Sequence, residues 1–141
     1  MDKINDESIL DNQDEIEINS PGEANIYPMN EIKVDKGFYT VYELKRRYDA
    51  ESKRIILDSD FQREDVWNID RKSELVESVL MGLPLPIFYF NQDKYGRLIV
   101  IDGRQRLTAL FEYMSGKYAL TRLKVLPNEN KKKFNELSPL L

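Results

Sequence analysis

Leu98-Ile99-Val100-Ile101 is a run of aliphatic residues that meets Asp102-Gly103 and then passes straight into a helical pattern. The run predicts a buried strand. Asp102 can cap a helix and Gly103 frees the backbone for a sharp turn. Leu107, Leu110, Phe111 and Met114 follow at i, i+3, i+4 and i+7, one face of a helix. A strand that turns directly into a helix aims backbone N–H groups, and the positive end of the helix dipole, beyond the strand end. Arg104 and Arg106 add two permanent cations there. Such a place suits an anion, phosphate above all. The plainer alternative stays open: Asp102 as a simple cap, Gly103 as a simple turn, and the two arginines as a solvated helix face.

What the chain lacks narrows the chemistry. There is no histidine and no cysteine in its 141 residues. That excludes histidine triads, histidine–metal nuclease sites, thiolate zinc sites, cysteine nucleophiles and disulfides within this chain. Catalysis must then use Asp, Glu, Arg, Lys, Tyr, Ser or Thr, with a hard cation such as Mg²⁺ as the compatible metal. No run approaches the roughly 20 apolar residues of a membrane span, and Met1–Glu7 does not resemble a secretory leader. A cytoplasmic protein with no membrane partner is expected.

Charge divides the chain. Residues 1–35 carry ten acidic and two basic side chains, and residues 36–141 carry fifteen acidic and nineteen basic ones. Residues 1–34 are also aperiodic and Asn-rich, and are expected to be a largely disordered tail before a domain over 35–141. The mildly basic body is compatible with a polyanionic partner, though ordinary surface charge explains it as well.

Within the body, Thr40 with Glu43 predicts a helix start, with Val41, Leu44 and Tyr48 facing inward. Lys45, Arg46 and Arg47 then suit the negative end of that helix. Ile55–Leu57 reads as a short strand. Phe61, Gln62, Arg63 and Trp67 read either as a packed loop with free polar heads or as core plugs beside a paired arginine. Asn68 or Asp70 starts a helix through Met81, stopped by Gly82, Pro84 and Pro86. Ile87–Phe90 and Arg97–Ile101 are expected to pair antiparallel around Asn91–Gly96. Gly116 ends the following helix, Tyr118–Leu126 reads as one more strand, and Lys131–Leu137 reads as the start of another helix. The close at Leu140-Leu141 suggests that the domain is incomplete at its C-terminus. The expected class is α+β with short strands and packing helices.

Phe61-Gln62-Arg63, Trp67, the Leu75–Leu80 helix, Gly82-Leu83-Pro84-Leu85-Pro86 and Asp102-Gly103-Arg104-Gln105-Arg106-Leu107-Thr108 occur in an order that resembles a known family. Over about residues 36–141 the chain is similar to the N-terminal domain of GmrSD-type, modification-dependent restriction endonucleases. These belong to the ParB-like nuclease superfamily, which also contains sulfiredoxin. Arg104 stands where the family usually has glutamine, which keeps donors and adds charge.

The resemblance implies a ParB-like fold and an NTP-binding, NTP-hydrolysing domain of a phage-defence protein that gates a DNA nuclease. It implies that Gln62, Gly103, Arg104 and Gln105 contact the nucleotide. Asp102, Arg63 and Arg106 would be the catalytic set, with Asp102 as a candidate Mg²⁺ ligand. Arg104, two residues before Arg106, should face elsewhere on a regular helix. The implied partners are a nucleotide, DNA and a separate histidine-containing nuclease domain or subunit. A sulfiredoxin-like activity is disfavoured because there is no cysteine. The main alternative is a non-enzymatic DNA-binding or regulatory module that uses the same cations on phosphates.

Overall fold

A computed structural model describes residues 33–57 and 66–141. The chain divides into two units, Met1–Gly37 and Phe38–Leu141. In the first, the described part carries an exposed Lys33–Asp35 ion pair at 3.3 Å. Every helix and strand among the described residues belongs to the second.

Its elements run α1 (Val41–Asp49), β1 (Ile55–Ile56), α2 (Ile69–Leu80), β2 (Tyr89–Gln92), β3 (Leu98–Asp102) and α3 (Arg104–Met114). Two 3₁₀ turns come after them, Pro127–Glu129 and Phe134–Glu136. The sheet order is β1-β3-β2, with β1 parallel and β2 antiparallel to β3. The class is therefore α+β with a small mixed sheet, as the sequence predicts.

Local chemistry explains the helix boundaries. Thr40 caps α1 by accepting the Glu43 N–H at 3.1 Å, and Asn68 caps α2 by accepting that of Arg71 at 2.9 Å. Both α2 and α3 end in paired reverse hydrogen bonds, Gly82 to Val79 with Leu83 to Ser78, and Gly116 to Tyr113 with Lys117 to Glu112. Gly82 and Gly116 take positive φ there. The β2–β3 turn is organised by Asp93, whose carboxylate accepts the N–H groups of Tyr95 and Arg97 and pairs with the Arg97 guanidinium at 2.6 Å.

α3 sits between two apolar clusters. Leu107 and Phe111 join Leu44, Ile55, Leu57, Leu98 and Val100 against one sheet face. Leu110 and Tyr113 join Val76, Tyr118, Leu120 and Leu123 on the side of α2. A helix covered on two sides buries more than one stripe. Ala109 and Tyr113 are accordingly buried as well, while Met114 is only partly covered.

Several expectations need correction. β3 is central but not buried along its length: Leu98 and Val100 face the core, and Ile101 is 59% exposed. β2 begins two residues later than expected, at Tyr89, and takes in Asn91 and Gln92, with an irregularity between Tyr89 and Phe90. No strand forms over Tyr118–Leu126, and no α-helix follows Lys131.

The reason for the missing strand is chemical. Five N–H groups of this segment are taken by side chains: Thr121 by Ser73, Leu123 by Asn130, and Lys124, Val125 and Leu126 by Glu77. A backbone satisfied by side chains has no need of a ladder.

Candidate functional site

The chain reverses direction at the end of β3. Asp102 is the last residue of that strand, and Gly103 is the N-cap of α3 with φ 99° and ψ 12°. The sequence-based expectation that Asp102 caps the helix is therefore overturned. Gly103 takes the cap position, and it has no side chain with which to cap the helix. The first N–H groups of an α-helix have no intrahelical acceptor. They lie at the Gly103 end of α3 with the positive dipole end, and the first turn carries no acidic residue.

Asp102 is well exposed, at 66% of its side chain, and faces Arg106 one turn on, with Oδ2 3.5 Å from the guanidinium. Arg106 is far more enclosed, at 13%. Its guanidinium donates to the backbone carbonyls of Pro86 and Ile87 and lies 4.3 Å over the Phe88 ring. One planar fork thus ties the approach to β2 to the start of α3. Gly103 is buried beneath the same ring. A Cβ built there would stand 2.3 Å from Phe88 Cδ1 and 3.1 Å from Arg106 Nη2. Two separate demands, positive φ and contact with Phe88, require glycine at this position.

Arg104 and Gln105 sit in the first turn, both half-buried. The structure thus gathers Asp102, Gly103, Arg104, Gln105 and Arg106 within one strand end and one helical turn. Gln62 and Arg63 lie outside the described residues. Trp67 is half-buried, with the Arg71 guanidinium 4.3 Å over its ring.

Sequence reasoning missed Phe88 and the carbonyls of Pro86 and Ile87. Leu83–Pro86 reads only as a rigid entry to a strand. The available hint was Pro86 itself, which offers a carbonyl but no N–H in a segment unable to join a helix.

As a metal centre the site is sparse. Among the described residues no group of three or more acidic side chains comes together. Asp102 offers one accessible carboxylate. That donor set fits Mg²⁺ only in its usual phosphate-bridged mode, with one carboxylate and the remaining ligands from water and substrate oxygens.

A model of the GmrSD restriction endonuclease N-terminal domain family matches residues 41–139. The chain belongs to that family. The match takes in α1, the whole sheet, α3 and the segment beyond it, so this GmrSD N-terminal domain includes the Asp102–Arg106 turn. No curated protein and no solved structure matched the chain. Among the described residues no helix is long and apolar enough to cross a membrane.

Proposed function

We propose that this GmrSD N-terminal domain binds and hydrolyses a nucleoside triphosphate at the β3–α3 junction, and so gates a DNA nuclease in a restriction system. The observation that carries the reading is the junction itself. An exposed carboxylate, a glycine turn and a glycine-capped helix start with two arginines follow one another at the end of the central strand. In this reading the first N–H groups of α3 and the half-buried Arg104 and Gln105 receive phosphate oxygens. Asp102 holds Mg²⁺ or orients the attacking water, and the metal when bound supplies charge neutralisation between phosphates.

Arg106 acts as a positioning residue. Its donors serve the carbonyls of Pro86 and Ile87, so it fixes the geometry of the junction while its charge adds to the local positive field. Gln62 and Arg63 enter by family resemblance, as further nucleotide contact and charge neutraliser. The nuclease that responds to the nucleotide, and the DNA it acts on, are partners that membership in a restriction endonuclease family supports. A cytoplasmic location belongs to the same proposal.

Calorimetric titration with a non-hydrolysable triphosphate and Mg²⁺ tests the binding step. Saturable binding weakened roughly tenfold by Gln105→Ala supports it, one lost charge-assisted contact being worth about 1.4 kcal/mol. An affinity unchanged in that variant removes Gln105 from the site, and no heat of binding in either protein removes the site.

A further inference from the structure

A second concentration of positive charge lies at the other end of α3. Between Lys117 and Lys133 the chain has six basic side chains and a single carboxylate, Glu129, which is buried. Backbone bonds fold this segment on itself. The Leu120 N–H donates to the Lys132 carbonyl at 3.0 Å, and the Lys131 N–H donates to the Leu120 carbonyl at 2.7 Å. The Leu123 N–H donates to Asn130 Oδ1 at 2.9 Å. The backbone around Leu120–Leu123, next to Arg122 and Lys124, is thereby held against that of Asn130–Lys132.

Two of these cations are compensated. Lys132 pairs with Glu129 at 3.0 Å, and Arg122 reaches Asp70 at 3.3 Å while its side chain stays 84% exposed. Lys117, Lys124, Lys131 and Lys133 are exposed, and among the described residues no carboxylate forms a direct ion pair with their ammonium groups, although the Lys124 charge is felt by Glu77. Glu136 is close to Lys133, but it accepts that residue's backbone N–H. Crowding like charges opposes folding.

The backbone carries a cost as well. Arg122 and Lys131, at φ 53° and 65°, are the two non-glycine residues with left-handed backbone among those described. Each such residue costs about 1–2 kcal/mol. Left-handed backbone at Arg122 and Lys131, on a folded segment whose lysines are exposed, indicates a surface shaped for a ligand.

We propose that Arg122, Lys124, Lys131 and Lys133 form a docking surface for the sugar-phosphate backbone of duplex DNA, separate from the β3–α3 junction. Tyr113, at the last turn of α3, donates its hydroxyl to the Lys132 carbonyl at 3.3 Å, whereas Gly103 caps the first turn. An 11-residue helix separates the two places by about 15 Å. Exposed lysine ammonium groups without a direct ion pair, beside an Arg122 guanidinium that stays 84% exposed while it reaches Asp70, suit a regular row of phosphates, which positions a protein without reading bases. The inference rests on membership in a restriction endonuclease family and not on nucleotide hydrolysis.

The test is fluorescence anisotropy of a short duplex DNA titrated with the whole chain at several salt concentrations. The variant replaces Lys124, Lys131 and Lys133 together by Gln, and thermal unfolding of both proteins confirms that each is folded. For the wild type, log K should fall against log salt with a slope steeper than about −2.7, roughly 0.9 for each phosphate neutralised. The triple variant should bind roughly tenfold or more weakly, with a slope flatter by about 2.7.

Equal affinity and slope in the two proteins would overturn the proposal. So would a wild type that ignores duplex DNA at low salt, which would leave the face to an acidic protein partner. Tighter binding to single-stranded RNA than to duplex DNA would overturn it too. Phosphate release is expected to be the same in the triple variant and the wild type, so failure of the DNA surface and failure of the nucleotide site are read separately.

Discussion

Gly103 carries the tightest requirement at the level of single residues, because its backbone angle and its contact with Phe88 both exclude a side chain. Gly103→Ala should destabilise the domain by about 2–5 kcal/mol, combining a strained φ with an overpacked ring. Chemical denaturation measures the loss. Replacing Phe88 by Leu in the same chain should recover part of it, because residues in contact do not add independently.

Arg106→Lys is not conservative here. An ammonium cannot hold two carbonyls while lying flat on a ring, so this variant should lose roughly 1–3 kcal/mol. The same denaturation curve checks it, and full retention of stability would show that the fork is dispensable.

Among the elements, α2 does most to shape the chain beyond α3. Its inner face carries buried Lys72, Ser73 and Glu77 beside Val76. Lys72 reaches Glu112 of α3 at 2.6 Å. Glu77 accepts the N–H groups of Lys124, Val125 and Leu126 at 3.0–3.3 Å. Glu77→Ala leaves those three donors without their acceptor and should cost roughly 3 kcal/mol or more. Hydrogen exchange should then quicken at residues 121–126 before it does in β3. Uniform exchange across the domain would contradict this anchoring role.

The same residues explain what could be read in advance. Helix caps at Thr40 and Asn68, stops at Gly82 and Gly116, and the antiparallel β2–β3 pair depend on near neighbours, and their signals are local. The 118–130 segment depends on acceptors more than 40 residues away on α2. Its loose alternation therefore imitated a strand. At the candidate site, Asp102 through Arg106 were legible because they are consecutive. Phe88 and the Pro86 carbonyl were not, because only the tertiary fold sets them against Gly103.

For the molecule as a whole, pH should act through Glu77. Burial pushes its carboxyl up, but the N–H groups of Leu126, Val125 and Lys124, with the Lys124 charge, outweigh this and leave it below the ordinary 4.5. A folded value below the unfolded one gives stability that is complete above about 4.5 and is lost as pH falls through the folded value. Acid unfolding followed by circular dichroism should therefore begin below about pH 4.5, and Glu77→Gln should flatten that dependence.

At the alkaline end, burial first and then the Glu129 and Glu136 charges push the Tyr113 hydroxyl up to about 12. The folded state thus holds a proton that the unfolded chain releases near 10. Stability should fall as pH rises above 10. Both limits leave the domain at full strength near neutrality, where a nucleotide gate would have to work.

The most direct measurement is phosphate release from each NTP with Mg²⁺, comparing the wild type with Asp102→Asn. Asp102 is exposed and is held by a single long ion pair, so its loss should leave the fold intact. The expected result is turnover by the wild type that falls at least roughly 100-fold in the variant, the lower end of what a positioned acid–base group contributes. Equal turnover in both proteins, or none in the wild type with Mg²⁺ present, would contradict a hydrolytic site at the β3–α3 junction.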